Sequence, residues 1–403
     1  MKTHQKIAYA LLSLLAPTAY SVAADSYPSE LEFDLSSTLL VMGRDYGAEV
    51  KGSAASASVS IAAKSQLSEQ ATFGIKSVLV ENLWENEREN AAYWLSNDKS
   101  ASLPEAYISY RAAGIGPNGT LLSLGRKELS YAFFPGYKVR HQAQSLEGIF
   151  ANARISESLQ VDLGHIERYS SWPSRENGTS LLDTSFKRLG ERIGASATKS
   201  GIQFVSTELN KKSFSLHAYD YYAEKLYNNA GLKLSYTLPT DSGDGRWSLS
   251  AHGIDQKGQG DGAFKDHSAS SLELNLRYKL KSFSLDAGWT QISKDASLLV
   301  PFRTSYTNDA TLLWYTNQFE AGAQTYHAKA VYSRNSWTLA AVYLTASHLD
   351  RRAESEIDLV AKRKLSEKLS VCIKAGYGKC VFDESDRHHK SARDLRLFVD
   401  YRL

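Results

Sequence analysis

The chain has 403 residues, a formal net charge of +3, 23 tyrosines and 7 tryptophans, but only 8 prolines and 2 cysteines. Near-balanced charge gives no nucleic-acid or acidic-partner signal, and two cysteines exclude a disulfide scaffold. Aromatic enrichment with few helix signals leans towards β structure, and no stretch after the N-terminus approaches the ~18 apolar residues of a spanning helix.

In chain order, Lys2 and Lys6 precede a short apolar run from Ile7 to Leu15, and Val22-Ala23-Ala24 supplies small residues for cleavage. Residues 1–24 therefore read as a secretory signal peptide and residues 25–403 as the folded domain. From residue 31 onward a period of two sets in, the signature of strands with one apolar and one polar face. LEFDLSSTLLVM places Leu31, Phe33, Leu35, Leu39 and Val41 on one face. SASVSIAAKS, NAGLKLSYTL, RWSLSAHG, SLELNLRYKL, SWTLAAVYL, KLSVCIKAGYG and LRLFVDYRL repeat the pattern.

About eighteen such segments are predicted near 31–43, 56–66, 71–82, 104–113, 119–129, 144–154, 158–168, 200–209, 213–223 and 226–238. The series continues through 245–256, 267–280, 282–293, 322–333, 336–347, 355–365, 368–379 and 392–403. Each is close to the roughly 9–11 residues that a tilted strand needs to cross a bilayer. Short connections such as KS after 280 and RN after 333 alternate with long ones such as 83–103, 130–143, 169–199 and 294–321. The fold class that follows is all-β: a transmembrane antiparallel β-barrel of about 18 strands with short periplasmic turns and long extracellular loops. Tyr236, Tyr278, Tyr332, Tyr343, Tyr377 and Tyr401 share the apolar face, where interfacial girdles sit. The pattern persists to Leu403, as it must if the last strand pairs with the first and lipid meets no open edge. Cys372 and Cys380, if carried on one extended strand, lie roughly 26 Å apart and form no disulfide.

Three stretches resemble the OprD-type outer-membrane porins. LLSLGRKELSYAFFPGYKVRHQAQSLEGI is similar to that family's strand–loop–strand region, AYDYYAEKLYNN to its tyrosine-rich segment before a short loop, and LRLFVDYRL to its closing strand. The chain departs from the pattern at Ala143, where proline is usual, at Leu146, where an aromatic residue is usual, and at Leu403, where phenylalanine is more usual. The resemblance implies an 18-stranded barrel with an inward third extracellular loop, a ladder of basic side chains along one wall, and a pore selective for small carboxylates, amino acids or saccharides.

Loop 130–143 is the candidate constriction: Pro135-Gly136 turns it, Phe133 and Phe134 pin it, and Lys138 and Arg140 reach into the lumen for a carboxylate. Arg126 and Glu147 are placed with them, although alternation from Leu122 and Leu124 points Arg126 at lipid unless a bulge at Gly125 turns it inward. Glu147, Asp162 and Asp34 read as inward acids. Parity puts Lys362, Lys364, Lys374, Arg396 and Arg402 of the last strands, with Lys64 and Lys76, in one basic sector around the seam.

The expected function is passive, substrate-selective diffusion of small hydrophilic solutes through the bacterial outer membrane. A general diffusion porin, or a barrel adhesin or receptor acting through its loops, stands as the alternative. Serine, histidine and aspartate occur without any local catalytic signature, so an enzyme is not expected, and neither a cofactor nor a metal is called for; His388–His389 reads as solvated. The expected partners are small solutes, outer-membrane lipids and the barrel-assembly machinery, which would meet the C-terminal strand. A lipid face and a subunit face look alike in sequence, so monomer and homotrimer both stay open.

Overall fold

The computed structural model describes residues 31–45, 51–86, 100–113, 116–117, 119–134, 136, 138, 140–170, 185–195, 198–238, 245–299, 319–347, 354–382 and 389–403. Residues 1–24, the expected signal peptide, and His388 lie outside these. No helix among the described residues is long and apolar enough to cross a membrane.

The strands are β1 (Leu31–Asp45), β2 (Lys51–Gln66), β3 (Ala71–Asn86), β4 (Ser100–Ala112), β5 (Thr120–Lys127) and β6 (Leu146–Arg154). They continue with β7 (Leu159–Ser170), β8 (Phe186–Lys187), β9 (Ile202–Asn210), β10 (Phe214–Ala223), β11 (Tyr227–Leu238) and β12 (Gly245–Gly258). The last are β13 (Ser268–Leu280), β14 (Phe283–Ile292), β15 (Gln324–Arg334), β16 (Trp337–Ser347), β17 (Glu354–Lys364), β18 (Leu369–Phe382) and β19 (His389–Arg402). Neighbours in sequence pair antiparallel, with β7 pairing β9 directly and the two-residue β8 lying beside the end of β7. β19 pairs β1 from Ser36↔Arg402 to Asp45↔Arg393, closing an 18-strand barrel. The backbone N–H of Leu403 donates to Leu35 O at 2.9 Å, so pairing extends to the final residue.

Alternation explains which face looks where. Leu249, Leu272, Leu274, Leu276, Leu359 and Leu395 are exposed apolar residues on the outside, as lipid requires. Between them the lumenal positions carry Ser, His, Asp, Lys and Arg. The outer aromatic residues form two levels. Tyr236, Trp247, Phe283, Tyr332 and Trp337 lie near the short turns, while Tyr326, Tyr343 and Tyr377 lie towards the long loops. Two such girdles at the two interfaces fit the preference of amphipathic rings for headgroup depth.

Boundaries differ from the sequence expectation in two directions. β2 begins at Lys51, β3 runs to Asn86 and β4 begins at Ser100, so these strands rise further into the long-loop side. β5 and β6 are instead cut short at Lys127 and Leu146, where the chain leaves the wall for the lumen. The 169–199 connection also contains β8 and a four-residue helix, α1 (Leu189–Arg192), that its polar composition did not announce. Cys372 is a buried free thiol on β18, the strand that also carries Cys380.

Leu274 is the midpoint of β13 and is exposed on the outer face, whereas Ser250 shares the lumenal face with His252. Leu274→Arg should cost about 2–4 kcal/mol, as for arginine at the bilayer midplane, and Ser250→Arg under about 1 kcal/mol, as for a substitution facing water. Urea unfolding from lipid vesicles measures both; equal costs would overturn the assignment of faces.

Candidate functional site

The segment 128–145 builds the site because it leaves the wall low and turns inward. Gly125, at φ +116°, takes a backbone conformation that favours glycine just before the departure. Lys127 and Leu146 form the last cross-strand pair, and a tight turn follows in which Tyr131 N–H donates to Phe134 O at 3.0 Å. The turn presents Phe133 and Phe134, 1% and 0% exposed, to the inner wall. Phe133 meets Tyr219 and Tyr221 of β10 edge-on at 5.2 and 5.6 Å, and Phe134 meets Tyr169 of β7 at 5.4 Å. Edge-to-face rings at this spacing add to area burial. Tyr219 has room to lean because its cross-strand partner is Gly231: a Cβ there would stand 2.0 Å from the phenol oxygen. Its hydroxyl shares a 2.8 Å hydrogen bond with His252 Nε2.

The other end of the segment reaches a different wall. Lys138 Nζ donates to Asp400 Oδ1 on β19 and to Thr38 Oγ1 on β1, both at 2.5 Å, and Thr38 donates to the same carboxylate at 2.7 Å. His141 bridges Ser56 and Ser58 of β2 at 2.7 and 2.9 Å, one ring nitrogen donating and the other accepting. Ser102 Oγ of β4 donates to Gln142 Oε1 at 2.6 Å, and Ser145 N–H donates to Ser170 Oγ of β7 at 2.8 Å. A loop anchored on β7 and β10 and tied to β1, β2, β4 and β19 crosses the lumen. Burial first, and then the charges of Lys138 and Arg140, pushes the His141 pKa down to about 3. The ring is neutral at physiological pH and suits two neutral hydroxyls.

The predicted site residues do not all meet. Lys138 lies in the lumen with about a third of its side chain exposed. Arg140, expected to present an open guanidinium fork, is only 5% exposed; it is folded into protein because the loop end docks against the wall. Arg126 and Glu147 pair with each other at 2.7 Å, and Glu147 also faces Arg168 at 3.7 Å. Pairing across β4, β5 and β6 keeps register through Gly125, so Arg126 stays on the face of the exposed Leu122 and Leu124, and Glu147 on that of Ile149. The bulge expected to turn Arg126 inward is not there, and the pair lies off the lumenal face. Lys127 is the inward base instead, bonded to Ser109 and Ser123 and 4.3 Å above the Tyr107 ring. Parity from Leu122 and Leu124 already contained that signal.

The seam sector divides into bases with partners and bases without. Arg396 and Arg44 both donate to Asp394 at 2.7 Å in a buried triad. Arg402 binds Asp34, Lys76 donates to Glu128 at 2.7 Å, and Lys64 stands 3.8 Å from Glu32. No ion pair ties Lys362, Lys364 or Lys374 to a described carboxylate; Lys374 lies 5.3 Å above the Phe398 ring. Of the expected inward acids, Asp162 and Asp34 bond lumenal neighbours, Asn152 and Arg402.

No protein-family model matches the chain, and no curated protein does. Solved structures match over nearly all of it. A BenF-like porin from Pseudomonas fluorescens superposes with a TM-score of 0.76 at 14% identity, covering 93% of this chain and 98% of that one. OpdK of Pseudomonas aeruginosa, solved with vanillate, gives 0.74 at 12% identity, and OccK2 (OpdF) of the same organism 0.74 at 15%, each with those coverages. These neighbours are OprD/Occ-type channels, and the chain shares their barrel fold.

Two outcomes follow for the loop. Phe134→Ala should loosen the aromatic anchor by about 3 kcal/mol, the cost of emptying a core phenylalanine site, and raise single-channel conductance; unchanged conductance would place the loop outside the current path. His141 titrates near 3 when docked and near 6.5 when released. Docking is therefore at full strength above pH 6.5 and weakens as pH falls towards 3, because the released form binds the proton. Open-channel current noise should rise on acidification from about pH 7 to about pH 4, and His141→Asn should remove that dependence.

Proposed function

We propose that the protein is a passive, substrate-selective porin of the bacterial outer membrane. Residues 128–145 form its constriction and the seam wall favours anions. The observation that carries this reading is the crossing of the lumen by a loop fixed at both ends, with Lys138 partly exposed in the gap. Lys362, Lys364 and Lys374 supply cationic groups along the wall facing that loop, and rings of basic side chains favour anions in pores. OpdK, a structural neighbour, was solved with the carboxylate vanillate, which agrees with small carboxylates as the solute class.

In the same reading residues 1–24 direct export, the C-terminal strand is what the barrel-assembly machinery recognises, and outer-membrane lipids cover the apolar face. Flux needs no energy coupling and runs down the solute gradient.

Planar-bilayer recording tests the reading. The refolded protein should give discrete conductance steps, a reversal potential favouring chloride over potassium, and current blocks on addition of benzoate. Lys138→Gln should weaken the benzoate block about ten-fold, the loss of one charge-assisted contact, while Lys362→Gln with Lys374→Gln should move the reversal potential towards potassium. A folded barrel that gives no steps would overturn the porin reading, and steps indifferent to benzoate in every variant would reduce it to general diffusion.

A further inference from the structure

We infer that Asp400 is a built-in competitor for the solute: its carboxylate occupies the Lys138 ammonium that a passing carboxylate must use, and so sets how weakly solutes are held. The inference rests on the proposed role of Lys138 in the constriction. Three observations carry it. Asp400 presents to Lys138 the same group that a carboxylate solute would, at 2.5 Å. It is held there by Thr38, whose hydroxyl accepts from Lys138 and donates to the same Asp400 oxygen at 2.7 Å, so the competitor is oriented. Both members of the pair are accessible, with side chains 37% and 36% exposed, so water or a solute reaches the contact directly.

The accessible pair contrasts with its neighbour higher on the same seam. Arg44, Asp394 and Arg396 have side chains 3–5% exposed, and a solute carboxylate cannot enter that triad without taking buried charges apart. An ion pair in water contributes little, screened by solvent and salt. An incoming carboxylate therefore exchanges with Asp400 at small cost, and Asp400 re-forms the pair as the solute leaves. Exchange of one carboxylate for another keeps Lys138 continuously paired, which favours passage over trapping: entry must be favourable enough to admit the solute and weak enough to release it. Lys362 of β17 also acts on Asp400 through space, giving the displaced carboxylate a cation to turn to.

The test is the benzoate concentration for half-block of single channels in planar bilayers. Asp400→Asn keeps an oxygen for Thr38 and removes the charge; it should tighten the block about five-fold, the equilibrium factor of a partly exposed ion pair, and lengthen each blocked event. Asp400→Glu restores a carboxylate and should return the block to the wild-type value. In a Lys138→Gln background, Asp400→Asn should tighten the block by much less than about five-fold, since the shared Lys138 ammonium is gone and only Lys362 still acts on Asp400. Asp34→Asn removes the same charge from the lumen at the Arg402 pair and controls for the field alone. Block in the wild type with no tightening in Asp400→Asn, or equal tightening in Asp34→Asn, overturns the competitor. No block in the wild type or in Asp400→Asn overturns the constriction reading beneath it.

Discussion

Lipid cannot hydrogen-bond a peptide group, so the backbone must satisfy itself, and a sheet does so only by closing on its first strand. That constraint organises everything else in this molecule. It requires the chain to keep its alternation to Leu403, whose N–H reaches Leu35. It also manufactures the seam. Thr38 and Asp400 are 362 residues apart, Arg44 and Asp394 350, and Asp34 and Arg402 368, yet closure makes each pair neighbours. The polar chemistry that Lys138 meets on the far wall exists because β19 was brought to β1.

Closure at eighteen strands raises a second problem, because a barrel of that size leaves a lumen its own wall side chains do not fill. The solution is an apolar core on the inside of the barrel. Phe133, Phe134, Tyr169, Phe204, Tyr219, Tyr221 and Leu189 pack together with almost no exposure, while the leucines of the same strands face outward. One side of the lumen is thereby occupied by protein, and the loop leaves that side to reach the seam. Aromatic residues consequently do two jobs that a count cannot separate. Tyr236 and Tyr332 are exposed interfacial rings, whereas Tyr219 and Tyr221, in the equally tyrosine-rich β10, are buried partners of the loop.

The barrel was legible in the sequence because lipid imposes one rule on every strand: the outer position is apolar. Eighteen segments, their alternating connections and the pairing of the last with the first all follow from that rule, as does the lumenal face of Lys362 and Lys374. The same rule, taken from Leu122 and Leu124, points Lys127 rather than Arg126 inward, although Arg126 was the residue expected in the constriction. A bulge at Gly125 was invoked against it, but the φ of that glycine serves the departure of the chain and leaves the register intact. What parity could not supply is contact between distant strands. The burial of Arg140, the bond from Lys138 to Asp400 and the seat of His141 between Ser56 and Ser58 depend on where a loop ends after crossing the lumen. No local pattern encodes that.

The same distinction decides how a basic wall should be counted. Seven lysines and arginines were expected to form a ladder, yet a cation already bonded to a fixed carboxylate offers little to a solute. Arg396 and Arg44 share Asp394 in a site so buried that separating them would strand charge in protein. Arg402 and Lys76 hold Asp34 and Glu128, and Lys64 stands 3.8 Å from Glu32. These arrangements stiffen the seam and its flank. Under the proposed function the electrostatic character of this side of the passage rests on the remainder: Lys362, Lys364 and Lys374, and the accessible pair at Lys138. The first three lie along one arc of the wall, on β17 and β18. In the proposed reading an anion passing the loop is drawn to the seam side, which Lys138 reaches through Asp400 and Thr38, and away from the aromatic packing opposite. The anchors on one wall and the charges on the other act together in that reading: the first narrow the lumen, and the second select among the solutes that enter the space left.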